Sequence, residues 1–243
     1  ADNATDGSST VNDGEGGAVF LRASQGGTRR HLLANCIFDG NRAADRGGAL
    51  GTTSFFFDAG NLTADLINCT FYGNTTPGAG GALYADGSQG TNNTNIINNI
   101  FRQHNAEGEG QELFNNGGNL TLAYSMLEGD LPATVTDGGN NLFADPQLID
   151  PENGDFRLSS CSPARDTGRN EAIFPDLTNI DFQGNPRIFG DRVDLGALEW
   201  NGDPPEMMLA VSSEPVSCAG LNDGTAVATP SGGVPGYSYQ WSN

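Results

Sequence analysis

Two histidines, four cysteines and 30 acidic side chains carry whatever chemistry this 243-residue chain can do. His31 follows Arg29 and Arg30, and His104 stands just before a turn. Neither accompanies a nucleophile motif such as G-x-S-x-G, so both read as solvated surface histidines. The carboxylates matter more. Glu107, Glu109 and Glu112 crowd one turn, while Asp58, Asp65 and Asp86 fall on the segments between the more regular runs. Hydrolysing a glycosidic bond takes two carboxyls about 5–10 Å apart. Eliminating across a uronate takes a cation to neutralise the sugar acid and a strong base to remove the proton. Arg29 and Arg30 could supply that cation. No familiar constellation links these residues, and acids in a chain this acidic read first as a solvated face. Asp150, Glu152, Asn153 and Asp155 surround Gly154, placing oxygen donors at the spacing of a calcium loop. The same residues also make a plain capping turn. Calcium is therefore the one cofactor the sequence offers, and it calls for no other. Phe55, Phe56 and Phe57, with Asp58 after them, could form a sugar-stacking platform or fold back over the body of the protein.

Composition narrows the partners. The net charge is -19, and all 11 basic residues are Arg. So negative a surface repels phosphate backbones and anionic lipid, which excludes nucleic-acid binding. No apolar run approaches the ~20 residues of a spanning helix, which excludes membrane insertion by that route. Without Lys there is no Schiff-base, P-loop or general-base lysine. The opening ADNATDGSST lacks the features of a signal peptide, so a processed start or an excised fragment is expected. Gly (35 residues), Asn, Asp, Ser and Thr dominate, which predicts short strands and many turns. No two Cys lie in a C-x-x-C arrangement, so no zinc site is indicated.

A repeat positions these residues. Gly16-Gly17-Ala18-Val19 returns as Gly47-Gly48-Ala49-Leu50 and Gly80-Gly81-Ala82-Leu83, at intervals of 31 and 33 residues. A second block keeps step: Asn35-Cys36-Ile37-Phe38, Asn68-Cys69-Thr70-Phe71 and Asn98-Asn99-Ile100-Phe101. Asn41, Asn74 and Asn105 follow these blocks, and a degenerate fourth copy begins at Gly110-Gln111-Glu112-Leu113. A unit of ~30 residues cannot bury its own apolar face and must stack on its neighbours. The expected architecture is all-β, a right-handed parallel β-helix with one repeat per coil. If Asn35 sits at a bend, Leu33, Cys36 and Phe38 face inward, with Ala34 and Ile37 outward. Leu66, Cys69 and Phe71 then face inward one coil later. Asn35, Asn68 and Asn98 are expected to stack as an amide ladder that tolerates left-handed bends. Cys36 and Cys69 occupy equal places in adjacent coils, at a spacing that suits either a disulfide or two stacked free thiols. The Gly-Gly pairs mark turns with positive φ. Three variable loops, 24–30, 54–60 and 86–90, are expected on one side, where a binding face could be built.

These motifs resemble known families. The GGA[V/L] pairs with Phe38-Asp39-Gly40-Asn41 and Phe71-Tyr72-Gly73-Asn74 resemble the repeats of polymorphic outer-membrane-protein adhesins, over about residues 14–106. The third copy, Phe101-Arg102-Gln103-His104-Asn105, reads as one residue too long. Residues 141–199 carry a DP-x-L, GDFRL, SPA-x-D-x-G, D-x-x-GNPR and D-x-GA-x-E succession. It resembles the C-terminal part of bacterial "choice-of-anchor Q" surface β-helix proteins, which implies a final coil and cap. Residues 201–205 read as a linker. From Ser217 onward, Cys218-Ala219-Gly220-Leu221-Asn222-Asp223-Gly224-Thr225 and the Gly232–Ser242 element resemble the SprB-type adhesin repeat of gliding Bacteroidetes. That resemblance implies an immunoglobulin-like β-sandwich, of which residues 206–243 would be the incomplete first part.

Domains are thus expected at 1–200, the solenoid with its C-terminal cap, and at 206–243. The resemblances imply a non-catalytic, adhesin-like or structural protein at the extracellular surface of a Gram-negative bacterium, exported by type IX secretion and continuing into further adhesin repeats. Its partners would be host or environmental glycans or other surface proteins. The alternative is a polysaccharide lyase or glycosidase that uses loop-side carboxylates, Arg29, Arg30 and calcium.

Overall fold

The computed structural model describes residues 14–23, 27–54, 60–172, 179–202, 208–218, 220–231 and 239–240. Three or four short strands separated by bends make one coil. The first coil holds β1 (Val19–Ala23), β2 (Thr28–Ala34) and β3 (Ile37–Asp39). The second holds β4 (Leu50–Ser54), β5 (Asn61–Ile67), β6 (Thr70–Tyr72) and β7 (Thr75–Thr76). The third holds β8 (Leu83–Asp86), β9 (Thr91–Ile97), β10 (Ile100–Arg102) and β11 (Asn105–Ala106). A fourth pass adds β12 (Leu113–Asn116), β13 (Asn119–Ala123) and β14 (Met126–Leu127), and β15 (Thr136–Asp137) and β16 (Leu142–Phe143) begin a further one by pairing onto β13 and β14. Equivalent strands pair in parallel, Val19 with Leu50, Leu50 with Leu83 and Leu83 with Leu113. The repeat therefore winds a parallel β-solenoid of about three turns, with three sheets along its length.

The interior follows the expected faces. Leu66, Cys69 and Phe71 are fully buried, and Leu33 and Cys36 of the edge coil pack against the same core. Phe38, Phe71 and Phe101 stack through successive coils, with ring centroids 4.6 and 4.7 Å apart. Such pairs add about 0.5–1.5 kcal/mol each beyond the area they bury. The bends are also as expected: Asn35, Asn68 and Asn98 have φ of 52°, 52° and 60°, and Tyr124 and Asn140 continue the series at 47° and 58°.

Each half of a Gly-Gly pair answers a different demand. Gly47 and Gly80 adopt positive φ, 66° and 71°. Gly48 does not; a Cβ there would lie 2.0 Å from the Gly81 carbonyl of the next coil. Positive φ thus explains only the first glycine, and close stacking explains the second. The amide ladder also needs correction. Only Asn98 donates to its stacked neighbour Asn68, at 3.0 Å. Asn35 instead donates to the Ile180 carbonyl at 2.7 Å, and Asn98 accepts the Arg169 N–H at 2.7 Å. These side chains look outward and hold a later part of the chain.

That part is the block after β16. It contains β17 (Leu148–Asp150) paired antiparallel with β18 (Asp155–Leu158). Its contacts run along the flank of the β3-β6-β10-β14 sheet. Leu158, Ala164 and Leu195 pack on Ile100 and Met126, while Phe156 and Leu198 pack on Tyr72. Gly196 lies so close that a Cβ would fall 2.7 Å from Thr70 Oγ1, and the Ala197 N–H donates to that oxygen. Leu131 and Val135, upstream of the block, pack with the solenoid core. The motifs read from the block form a buried polar knot. Arg187, 1% exposed, donates to the Asp194 and Gly196 carbonyls and lies 3.9 Å from Glu199. Burial pushes Glu199 up to about 8 and Asp194 to about 6. Asp194 nevertheless accepts the N–H groups of Asp166 and Trp200.

Beyond residue 207, β19 (Met208–Glu214) and β20 (Thr225–Ser231) form an antiparallel hairpin of seven pairs. Leu209 and Val211 are more than half exposed on it.

Candidate functional site

The expected loop-side site does not assemble among the described residues. Phe55, Phe56, Phe57 and Asp58 lie outside them. Arg29 and Arg30 are not in a loop but open strand β2. Arg30 pairs with Asp65 of the next coil at 2.9 Å, and Asp65 also accepts Asn95 Nδ2 at 2.8 Å. Among the described residues Arg29 donates to the carbonyl of Thr28. Asp86 closes β8, in a different sheet from Asp65, and accepts the Ser88 N–H. The side chains of the Asp150–Asp155 turn already have partners, two of them each other. Asn153 donates to both oxygens of Asp150, Glu152 accepts the Tyr72 hydroxyl and Asp155 holds Arg157. Among the described residues no three His, Cys, Asp or Glu side chains group to hold a metal.

Cys36 and Cys69 are free thiols in contact. The hydrogen bond from the Cys69 thiol lowers Cys36 to about 7, while burial holds Cys69 well above the ordinary thiol range. Cys161 and Cys218 stand apart from them as free thiols.

A different place gathers chemistry. A cavity of about 520 Å³ near the last pass is lined by Gln103, His104, Gln111, Glu112, Glu128 and Asp130, among others. Four of these residues occupy positions where the repeat has something else. The strand register sets Arg102 opposite Tyr72 and Asn105 opposite Thr75, so Gln103 takes the place of Gly73 and His104 that of Asn74. The third copy is therefore not one residue too long; His104, not Asn105, is its equivalent of Asn41 and Asn74. Gln103 keeps the positive φ of the glycine it replaces, 56° against 62°. Such strain in a non-glycine residue costs about 1–3 kcal/mol.

His104 is not a solvated surface histidine. Its Nδ1 accepts the Asn74 N–H at 3.1 Å, and its ring edge packs on Phe101. Burial lowers it to about 3, and only a neutral ring can accept that N–H.

Gln111 and Glu112 are the other two departures. Leu113 pairs with Leu83, so Gln111 stands where Gly81 stood and Glu112 where Ala82 stood. β12 ends its sheet, so no further carbonyl crowds Gln111, and a side chain is permitted there. Its amide folds onto the Ala106 carbonyl at 3.0 Å. Ala49 and Ala82 are wholly buried, and Glu112 inherits their inward place with only 7% exposure. Glu112 Oε1 accepts the Glu128 N–H at 2.8 Å, and Oε2 is buried without a hydrogen bond. Burial raises Glu112 to about 8, against the lowering effect of the backbone N–H groups beside it. Glu107 and Glu109 are exposed, so the crowded turn places a single acid inside. Glu128 faces the cavity already paired: it lies 2.9 Å from Arg102 and accepts the Gln103 N–H. The sequence held the signal for this site in its degenerate fourth copy, at the two positions where Gly-Ala becomes Gln-Glu.

Comparison with known families agrees with the repeat. A family model described as the SprB repeat matches residues 210–243. One described as the Chlamydia polymorphic membrane protein repeat matches residues 35–53 and 68–86. Each stretch of the latter opens on a bend Asn and ends within the first strand of the next coil. Comparison with curated proteins and with solved structures gives no match. The chain thus has the character of a surface, adhesin-like protein built on a β-solenoid.

Proposed function

We propose that the chain is a non-catalytic, adhesin-like segment of an extracellular surface protein, its solenoid serving as a stiff stalk and binding surface for glycans or other surface proteins. One observation carries this reading: a stacked solenoid whose coils match one surface-protein repeat is followed by a match to a second, the SprB repeat. A parallel solenoid suits a stalk because each coil contacts only its neighbours, so length is added without a new core. The finer reading takes the helix as right-handed, the rule for parallel crossovers. It takes residues 141–199 as a choice-of-anchor Q-like closing block and 201–205 as a linker. The exposed β19–β20 hairpin is then the first strand pair of an immunoglobulin-like repeat, in a protein exported by the type IX route of Bacteroidetes. The exposed apolar side chains of the hairpin support its reading as part of an incomplete repeat, since a two-stranded ribbon is marginal by itself.

Glycan-array binding by the purified chain, together with attachment of cells that lack the segment, tests the proposal. Saturable binding and weakened attachment are expected. Absence of both, or release of reducing ends or unsaturated sugars from a polysaccharide panel, would overturn it in favour of an enzyme.

A further inference from the structure

One column of the solenoid changes its chemistry at the first junction between coils. Strand register sets Cys36, Cys69, Asn99, Ser125 and Asn141 in line, one per pass. At the later junctions the side chain of each pass accepts the backbone N–H of the pass before it. Asn99 Oδ1 takes the Cys69 N–H at 2.8 Å, Ser125 Oγ takes the Asn99 N–H at 3.0 Å and Asn141 Oδ1 takes the Ser125 N–H at 3.0 Å. Oxygen is the acceptor each time. At the first junction Cys69 meets the Cys36 N–H with sulfur, a weak acceptor. An oxygen there would serve the column better, so the sulfur pair asks for a separate use.

The pair has the placement of a covalent link. Cys36 directly precedes the Ile37–Thr70 register and so stands opposite Cys69, and its carbonyl accepts the Thr70 N–H at 2.9 Å. Neighbouring strands lie about 4.8 Å apart, inside the range of Cα separations that a disulfide spans. The Cys69 thiol is turned toward the first coil, where it reaches the Leu33 carbonyl at 3.5 Å. The two thiols differ in access. Cys69 is wholly buried, whereas Cys36 is only partly buried, beside the outermost strand of its sheet. Cys36, lowered to about 7, also holds more of the reactive thiolate at neutral pH than Cys69 does.

We propose that Cys36 and Cys69 form a dithiol that a disulfide-bearing oxidant closes into a covalent staple between the first two described coils, Cys36 reacting first and Cys69 completing the bond. The Cys36 thiolate attacks one sulfur of the oxidant RS–SR, whose S–S bond breaks, giving a Cys36–S–SR mixed disulfide and one RS⁻. Cys69 then loses its proton and attacks Cys36 Sγ, which expels the second RS⁻. The two protons released by the cysteines convert both leaving groups to RSH. The pair is thus oxidised by two electrons and the oxidant reduced by two. Among the described residues the first coil has a neighbour on one side only, which is where a stack of repeats frays, and the bond ties it down. The staple is independent of the adhesive reading, since it concerns no ligand of the surface.

Oxidation of the reduced full chain by glutathione disulfide, followed by peptide mapping in a mass spectrometer, tests it. The expected product is a Cys36–Cys69 cross-linked peptide lighter by two hydrogens, with Cys161 and Cys218 outside it. The oxidised chain should melt roughly 5–10 °C above the reduced one. Cys69→Ser should trap glutathione on Cys36, and Cys36→Ser should leave Cys69 unmodified. The wild-type map needs no variant, so the test stands even if a variant folds poorly. Both thiols left unreacted, glutathione retained on wild-type Cys36 without a cross-link, Cys69 modified in Cys36→Ser, or an oxidised chain that melts no higher than the reduced one would overturn the proposal.

Discussion

Replacing Glu112 with glutamine should make the protein more stable at neutral pH. Glu112 sits at an alanine position with 7% exposure, and burial raises it to about 8 from 4.5. Its folded form prefers the proton more than its unfolded form does. Stability is therefore fully present below about pH 4.5 and declines as pH rises toward 8. Between 4.5 and 7 the loss is roughly 2.5 units at about 1.36 kcal/mol each, or about 3.4 kcal/mol. Glutamine has no charge to neutralise and keeps an acceptor for the Glu128 N–H, but it must still bury an amide. The net gain at pH 7 should be about 2–3 kcal/mol, seen as a rise in Tm of roughly 5–10 °C for a chain of this size. At pH 4 the gain should nearly vanish. Urea or thermal melts of both proteins at pH 4, 5.5 and 7 measure it. His104, Asp194 and Glu199 titrate alike in both proteins and cancel from the difference. A variant less stable at pH 7, or an equal gain at pH 4 and pH 7, would refute the reasoning.

Restoring the repeat residue at its neighbour should act in the opposite pH window. His104 is lowered to about 3 from 6.5, so its contribution to stability holds above pH 6.5 and falls as the solution becomes more acidic. His104→Asn should gain about 2 kcal/mol at pH 4 and little at pH 7, measured by the same melts. Gly48→Ala would drive a Cβ to 2.0 Å from the Gly81 carbonyl and should cost about 3 kcal/mol; Gly202→Ala, with nothing within 4 Å, should be nearly silent in the same unfolding experiment. Arg30→Ala removes an ion pair whose guanidinium is 74% exposed and should cost less than about 1 kcal/mol. If Arg30 held an acidic sugar, the same variant would lose binding to polyuronates on a glycan array, whereas a purely structural pair predicts none.

The repeat made the solenoid legible, because the rules that stack coils act on each residue locally. Asn35 and Asn68 declare a left-handed bend, Phe38 and Phe71 an inward stack, and Gly48 a close carbonyl. What was not legible depends on segments far apart in sequence. Ile67 and Ile100 point away from the core yet are buried, and Ile100 is covered by Leu158 and Leu195 of the later block. For the same reason the Asn35 and Asn98 side chains serve that block instead of a continuous ladder. The candidate site was hidden differently. Glu112 was visible as one of three acids in a turn, but its burial follows only once Leu113 is set against Leu83. His104 looked like part of an insertion until the pairing of Asn105 with Thr75 placed it on the Asn41–Asn74 line.

The proposed function has this chain bind surfaces without processing them. The most direct measurement is competition: purified chain is added to cells that carry the whole surface protein, and their attachment to a glycan- or protein-coated surface is counted while the medium is assayed for sugar products. Saturable inhibition of attachment is expected, with no product released. Undiminished attachment at saturating chain, or product accumulating in proportion to the chain added, would contradict it.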